Sequence, residues 1–255
     1  MEAILEARGL CKNFGEAREE QISVLKDVDL KLVKGEFVAI MGQSGSGKST
    51  LLYNISGMDQ TSSGTVIFDG DDISNLTDNE MSKLRLNKMG FVFQHSHLLK
   101  NMSIRDNILL PAFKAEAKSK AEATKDTEAL MKKLGIDKVG GNDITKVSGG
   151  QLQRAAICRA LINQPRVLFC DEPTGALNSG ASLEVMNTLN TINQEGTTIL
   201  LVTHDVKVAS RADRVIFLTD GRIESELSLG KYKESMSEIK KREERLLEWL
   251  NKRGF

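Results

Sequence analysis

Short apolar runs separated by longer amphipathic stretches dominate the chain. Residues 37–41 (FVAIM) contain no polar member, the pattern of a strand buried on both faces. Runs of the same kind recur at 65–69 (TVIFD), 90–94 (GFVFQ), 166–170 (RVLFC), 197–203 (TTILLVT) and 214–218 (RVIFL), and helical spacing follows several of them. Strand and helix in alternation predict an α/β fold on a largely parallel sheet. From about 95 to 163 the alternation breaks, with no convincing strand. Residues 118–136 (KSKAEATKDTEALMKKLGI) carry apolar positions at helical spacing, and 149–162 (GGQLQRAAICRALI) reads as a second helix, closed by Pro165. The expectation is a helical subdomain inserted between two parts of the sheet. The tail from about 231 predicts one more helix, a C-terminal extension over 231–255 to a domain over 1–230. Met236, Ile239, Leu246 and Leu250 lie near one stripe, and Glu238–Arg242 and Glu248–Lys252 make i,i+4 pairs on the wet side. Such a helix packs on its own domain, or it regulates or docks a partner.

At 255 residues the chain can build one large core or two small ones. Its 40% hydrophobic and 27% charged residues are ordinary for a soluble globular protein. Lys plus Arg equals Asp plus Glu, 35 each, so no net field draws the chain to nucleic acid or anionic lipid, and no nucleic-acid partner is expected. Cys11, Cys158 and Cys170 are odd in number and far apart, which suits reduced thiols better than a disulfide frame. No C-x-x-C pair suggests zinc, and His95 with His97 lacks a third ligand nearby. The first residues lack a secretory layout, and no run approaches the roughly 18 apolar residues that span a bilayer. Any membrane role is expected to come through a partner.

The segment GQSGSGKST (42–50) follows the FVAIM run and opens a helical one, STLLYNIS. It matches G-x-x-x-x-G-K-[ST] in the strand–loop–helix setting the motif requires. Glycines let the backbone wrap a phosphate, consecutive N–H groups form an anion nest, and the helix N-terminus adds a favourable dipole. Gly42, Ser44, Gly45, Ser46 and Gly47 are expected to line the phosphates. Lys48 should reach the β- and γ-phosphates, Ser49 should place its hydroxyl on Mg²⁺, and Thr50 should touch the α-phosphate. The strand-like VLFCDE (167–172) ends in two acids. Asp171 fits a Mg²⁺-holding carboxylate, and Glu172 is placed to polarise an attacking water as general base. The carboxyl end of a buried strand is where α/β folds hold ligands.

With VSGGQLQRAAICRAL (147–161) the chain resembles the ATP-binding-cassette (ABC) ATPases. The phosphate loop, Gln94 ending FVFQ, this signature, LFCDE, and His204 ending ILLVTH occur in that family's order and span nearly the whole chain. The resemblance implies an ABC nucleotide-binding domain: a phosphate-loop core with a mostly parallel sheet, an antiparallel β portion and an inserted helical subdomain. It implies ATP hydrolysis with Mg²⁺. Ser148, Gly149, Gly150 and Gln151 would cap an ATP held by the loop of a second copy, in a head-to-tail dimer with two ATPs. Phe14 stands where an aromatic residue stacks on adenine. Gln94 corresponds to the residue that senses Mg²⁺ and the attacking water, and His204 to the switch histidine. Two departures stand out: Val147 replaces a leucine before the signature, and Asn178 replaces an aspartate.

Several stretches are similar to the macrolide-exporter, lipoprotein-release and bacitracin- or peptide-antibiotic-resistance branch: QSGSGKSTLLYNISGMDQTSSG, MGFVFQHSHLL, NILLPAF, DEPTGAL and the long loop GEAREEQIS. That branch implies a separate integral membrane permease with an extracytoplasmic domain, docked near 94–110, and placement on the cytoplasmic face of the membrane. A regulator of cell-wall hydrolases acting through a permease-like partner would share nearly every motif. DNA-repair relatives insert long coiled coils after Gln94, and about fifty residues are too few for one here.

Overall fold

The computed structural model describes residues 2–15, 21–233 and 235–255, without the side chain of Met236. Much of the loop GEAREEQIS therefore lies outside the described residues. The strands are β1 (Ala3–Phe14), β2 (Ile22–Val33), β3 (Phe37–Met41), β4 (Ser63–Phe68), β5 (Asp71–Asp72), β6 (Met89–Phe93), β7 (Val167–Asp171), β8 (Thr198–Val202), β9 (Arg214–Thr219) and β10 (Arg222–Ser228). The α-helices are α1 (Lys48–Ile55), α2 (Asp78–Lys88), α3 (Ile104–Ala115), α4 (Lys120–Lys133), α5 (Gly149–Leu161), α6 (Ser179–Gln194), α7 (Val206–Ala209) and α8 (Met236–Asn251). Two compact units divide the chain: Met1–Thr77 with Thr198–Phe255, and Asp78–Thr197.

In the first unit, β3 runs parallel to β8 on one side, from Phe37 opposite Ile199 to Ile40 opposite Val202. It runs parallel to β9 on the other, from Val38 opposite Arg214 to Met41 opposite Phe217. All five β3 residues are buried, as a central parallel strand requires. Asp213 fixes the start of β3 by accepting from the Phe37 N–H at 2.9 Å, and Lys231 donates to the same carboxylate at 2.7 Å. β10 pairs antiparallel with β9. A separate antiparallel sheet has the order β2-β1-β4-β5. The predicted run 65–69 belongs to this second sheet, as β4, and not to the parallel one.

In the second unit, β6 and β7 run parallel, with Phe93 opposite Asp171 at their carboxyl ends. The stretch predicted to be helical, about 95–163, carries α3, α4 and α5. Buried Leu109, Ala112, Ala123 and Ile162, with Leu130 packed against them, draw these helices together. Each helix starts at a serine: Ser103 caps α3, and Ser119 and Ser148 form capping boxes with Glu122 and Gln151. The unit extends beyond the predicted stretch, because α2, β6, β7 and α6 also belong to it.

The C-terminal helix α8 buries Leu246 and Leu250 completely. Arg242 corrects the sequence reading. It lies in the interior, not on the wet side with Glu238. Its guanidinium donates to the carbonyls of Ser210 (2.7 Å), Ala212 (2.6 Å), Leu229 (3.0 Å) and Gly230 (3.0 Å). Burial lowers its pKa, yet an arginine stays charged at any physiological pH. One exposed i,i+4 pair on this helix is Lys240–Glu244. Replacing Arg242 by Met strands several carbonyls without a donor. The expected loss is about 3–5 kcal/mol of unfolding free energy. A urea titration checks this, and a loss under about 1 kcal/mol, as for an exposed surface group, would contradict it.

Candidate functional site

The sequence-predicted residues fall into two sets, one in each unit. The phosphate loop belongs to the first. It leaves the carboxyl end of β3 and turns directly into α1. Two glycines are dictated by crowding. A Cβ on Gly42 would stand 2.1 Å from the Leu218 carbonyl oxygen and 2.7 Å from Ser46 Oγ. Gly47 has φ 99°, and a Cβ there would stand 3.0 Å from the Val24 carbonyl oxygen. Gly47 brings no side chain to cap α1, and the first turn holds no acidic residue. The positive end of the helix therefore faces the loop without a local counter-charge.

Lys48 is buried, and its ammonium folds back over the loop. It donates to the Gly42 carbonyl at 3.0 Å and the Gln43 carbonyl at 2.7 Å. Ser46 Oγ is buried and has no hydrogen-bond partner among the described residues. A buried hydroxyl normally has one, so an acceptor such as a phosphate oxygen answers an unmet need here. Ser49 and Thr50 follow in the first turn of α1.

Two other predicted residues belong to this unit. Phe14 ends β1, is 46% exposed, and has the Lys12 ammonium 4.8 Å from its ring centroid. Lys12 is itself held by Asp59 at 2.8 Å and the Gln60 carbonyl at 2.7 Å, so the pair presents an ordered aromatic face. Phe14 lies opposite Ile22, two residues before the Val24 that crowds Gly47. His204 follows β8 and is exposed. The Thr203 N–H donates to the Ile40 carbonyl at 3.1 Å, so β3 and β8 end level and both deliver their loops to one edge. Asp205, next to His204, accepts from the Lys207 N–H at 2.7 Å and starts α7.

The second unit holds Gln94, Asp171, Glu172 and the signature. Because Phe93 and Asp171 are in register, Gln94 and Glu172 each lie one residue beyond paired strand ends. They converge on Gly175, where a Cβ would stand 3.0 Å from Gln94 Nε2 and 3.3 Å from Glu172 Oε2. Only a glycine leaves that space. Glu172 has φ 47°, a left-handed conformation that costs a non-glycine residue energy and concentrates at functional sites. The Gly175 N–H donates to the Glu172 carbonyl at 3.0 Å and closes the turn.

The signature opens α5 without an acidic residue in its first turn. Ser148 and Gln151 satisfy each other there: the Ser148 N–H donates to Gln151 Oε1 at 2.9 Å, and the Gln151 N–H to Ser148 Oγ at 3.3 Å. The glycines also have packing duties. A Cβ on Gly149 would stand 3.3 Å from Leu177 Cδ2, and one on Gly150 would stand 3.1 Å from the Ala181 Cβ of α6. Asn178, the departure from aspartate, caps α6 by accepting from the Ala181 N–H at 2.9 Å. Asn and Asp are equal in that role.

Two residues were missed by sequence reasoning. Gln153 is buried in α5 and donates to the Phe93 carbonyl at 2.8 Å, tying the signature helix to the residue before Gln94. Arg159 donates to the Ser96 and His97 carbonyls at 2.7 and 2.6 Å, fixing the segment just after Gln94. Their places about one and about two and a half turns after the signature glycines were the available signal. The His97 ring packs edge-on against Phe93 at 5.5 Å, and His95 lies 6.3 Å from it. Burial pushes the thiols of Cys158 and Cys170 well above their ordinary range, so neither serves as a nucleophile.

Comparison with known proteins gives this arrangement its family. A family model described as ABC transporter matches residues 25–175. The macrolide export ATP-binding/permease protein MacB of Mannheimia succiniciproducens is 44% identical over 220 residues, covering 86% of this chain and 34% of that protein. MacB of Campylobacter jejuni is 42% identical over 229 residues, covering 90% of this chain and 35% of that protein. The chain thus spans about a third of the length of the curated relatives it matches. The dimeric post-hydrolysis structure of the ATP-binding cassette MJ0796 bound to ADP and Pi superposes with a TM-score of 0.81 at 37% identity, covering 89% of this chain and 100% of that one. Sequence and fold agree, and the chain belongs to the ABC transporter family as one of its ATPase cassettes.

Proposed function

We propose that this ATPase works as a pair of copies that clamp two ATPs and drive a membrane permease, in export of or resistance to antimicrobial peptides or antibiotics. The observation that carries the nucleotide half is the loop itself: a buried ammonium folded over the loop carbonyls, a buried hydroxyl with no partner among the described residues, and a helix N-terminus with no acidic residue in its first turn. Gly42, Ser44, Gly45, Ser46, Gly47, Lys48, Ser49 and Thr50 hold the phosphates, and Phe14 stacks on the base. Ser49, Gln94 and Asp171 offer oxygen donors alone, a set that fits Mg²⁺ better than a soft metal. When bound, Mg²⁺ neutralises charge on the β- and γ-phosphates. Glu172 accepts a proton from the attacking water, Gln94 orients that water, and His204 contacts the γ-phosphate. Ser148, Gly149, Gly150 and Gln151 of one copy cap the ATP of the other; the dimeric form of the MJ0796 cassette supports this pairing.

The permease half rests on a surface. Leu99, Leu110 and Phe113 are 49%, 42% and 42% exposed, and all follow Gln94 closely in sequence. Leu110 and Phe113 are an i,i+3 pair on α3, and large exposed apolar side chains on one helix face suit docking of a partner. The relatives named ATP-binding/permease proteins support a membrane partner, which on our reading has an extracytoplasmic domain. Among the described residues no helix is long and apolar enough to cross a membrane. This reading places the chain peripherally, on the cytoplasmic face. Gentle solubilisation of membranes followed by affinity capture of the tagged chain tests it. One polytopic membrane protein is expected in a fixed ratio to the cassette and is expected to be lost in Phe113→Asp. Capture of the chain with no integral membrane protein would contradict the reading.

A further inference from the structure

We propose that the last residues of the chain form a strap that positions the phosphate loop, so that the C-terminal tail sets nucleotide affinity. The inference rests on the reading that residues 42–50 bind nucleotide phosphates. Two independent contacts support it, both within the first unit. Gln43 Nε2 donates to the Gly254 carbonyl at 3.1 Å, and the carbonyl of the same Gln43 accepts from Lys48 Nζ at 2.7 Å. The tail thus grips, by its side chain, the residue whose main chain holds the phosphate-binding lysine.

The second contact runs through β9. Phe217 stands opposite Met41, the residue just before the loop. The rings of Trp249 and Phe255 both meet Phe217 edge-on, each with centroids 6.1 Å away. The next residue, Leu218, supplies the carbonyl that crowds Gly42. Tail and α8 therefore press on the strand backing the first residue of the loop.

The strap is anchored well before its tip. Arg242, Leu246 and Leu250 are buried. Arg253 donates to Ser225 Oγ at 2.5 Å, and its guanidinium lies 4.2 Å from the Trp249 ring centroid. Of Arg242's carbonyl partners, that of Ser210 terminates α7, the helix that starts right after His204. A glycine-rich loop pays conformational entropy when it closes on phosphate, and fixing Gln43 beforehand reduces that cost. Gly254 and Phe255 are positioning residues, acting through Gln43 and Phe217.

The test compares the full chain with a chain ending at Arg253. Binding of a non-hydrolysable ATP analogue is measured by calorimetry, alongside thermal melting and steady-state kinetics. Truncation is expected to weaken binding and raise KM by about three- to ten-fold, the worth of one hydrogen bond and its packing. kcat at saturating ATP should stay within about two-fold and Tm within a few degrees, because the anchors of α8 remain. Gln43→Ala in the full chain should account for most of that loss, and truncating the Gln43→Ala chain should add only the smaller part carried by Phe255. Phe255→Ala, which keeps Gly254, should show a smaller loss in the same direction. Unchanged affinity in the truncated chain and in Phe255→Ala would overturn the strap, as would simple additivity of truncation and Gln43→Ala. Lys48→Ala separates the two levels: if it abolishes binding while truncation changes nothing, only the strap fails. If Lys48→Ala binds normally, the loop reading beneath it fails.

Discussion

Glu172→Gln is expected to lower kcat for ATP hydrolysis by about 10²–10⁴-fold while leaving ATP affinity within about two-fold. The substitution keeps the size of the side chain and its acceptor oxygen, and removes only the capacity to take a proton. The surroundings of Glu172 explain why that capacity matters. The left-handed turn after β7, at φ 47°, aims the carboxylate into the space left by Gly175, which Gln94 borders from the other side. On the proposed reading, a water there meets a base and an orienting amide together. Steady-state turnover and equilibrium binding, measured on the same preparation, separate the two effects. Equal losses in both would show that Glu172 holds the nucleotide and does not activate water.

Lys48→Ala is expected to weaken ATP binding by about 10²–10³-fold, the loss of one or more charge-assisted hydrogen bonds to phosphate. The geometry adds a second reason. The ammonium now bridges the Gly42 and Gln43 carbonyls, so removing it also frees a loop that begins at a crowded glycine. Calorimetry with ATP reads the loss, and a melting curve confirms that the fold persists. An affinity within three-fold of the parent chain would show that phosphate is gripped elsewhere.

Much of this was legible because local chain geometry sets it. A run such as FVAIM is apolar throughout because β3 is flanked by strands on both sides, and GQSGSGKST lies between such a strand and a helix, the setting that favours a phosphate loop over a linker. Asp171 and Glu172 were expected at the carboxyl end of a buried strand, and β7 does end at Asp171. What stayed hidden is non-local or weakly patterned. β1 and β2 are interrupted by irregular register near Gly9 and Asp27, both left-handed, which breaks their alternation. α2 buries only Met81, so it shows no apolar stripe. The Gln153 contact joins residues sixty apart in sequence, and no spacing rule sees it. Arg242 was misread for the same reason. The i,i+4 rule looks along one helix, whereas its carbonyl partners come from the turns after α7 and β10.

The head-to-tail clamp is tested most directly by light scattering and nucleotide counting on Glu172→Gln with Mg²⁺ and ATP. The expected species is two chains carrying two ATPs, dispersing to single chains when the nucleotide is removed or when Ser148 is replaced by Arg. A chain that holds its ATP fully shielded while strictly monomeric, or a pair that forms equally well without nucleotide, would contradict it.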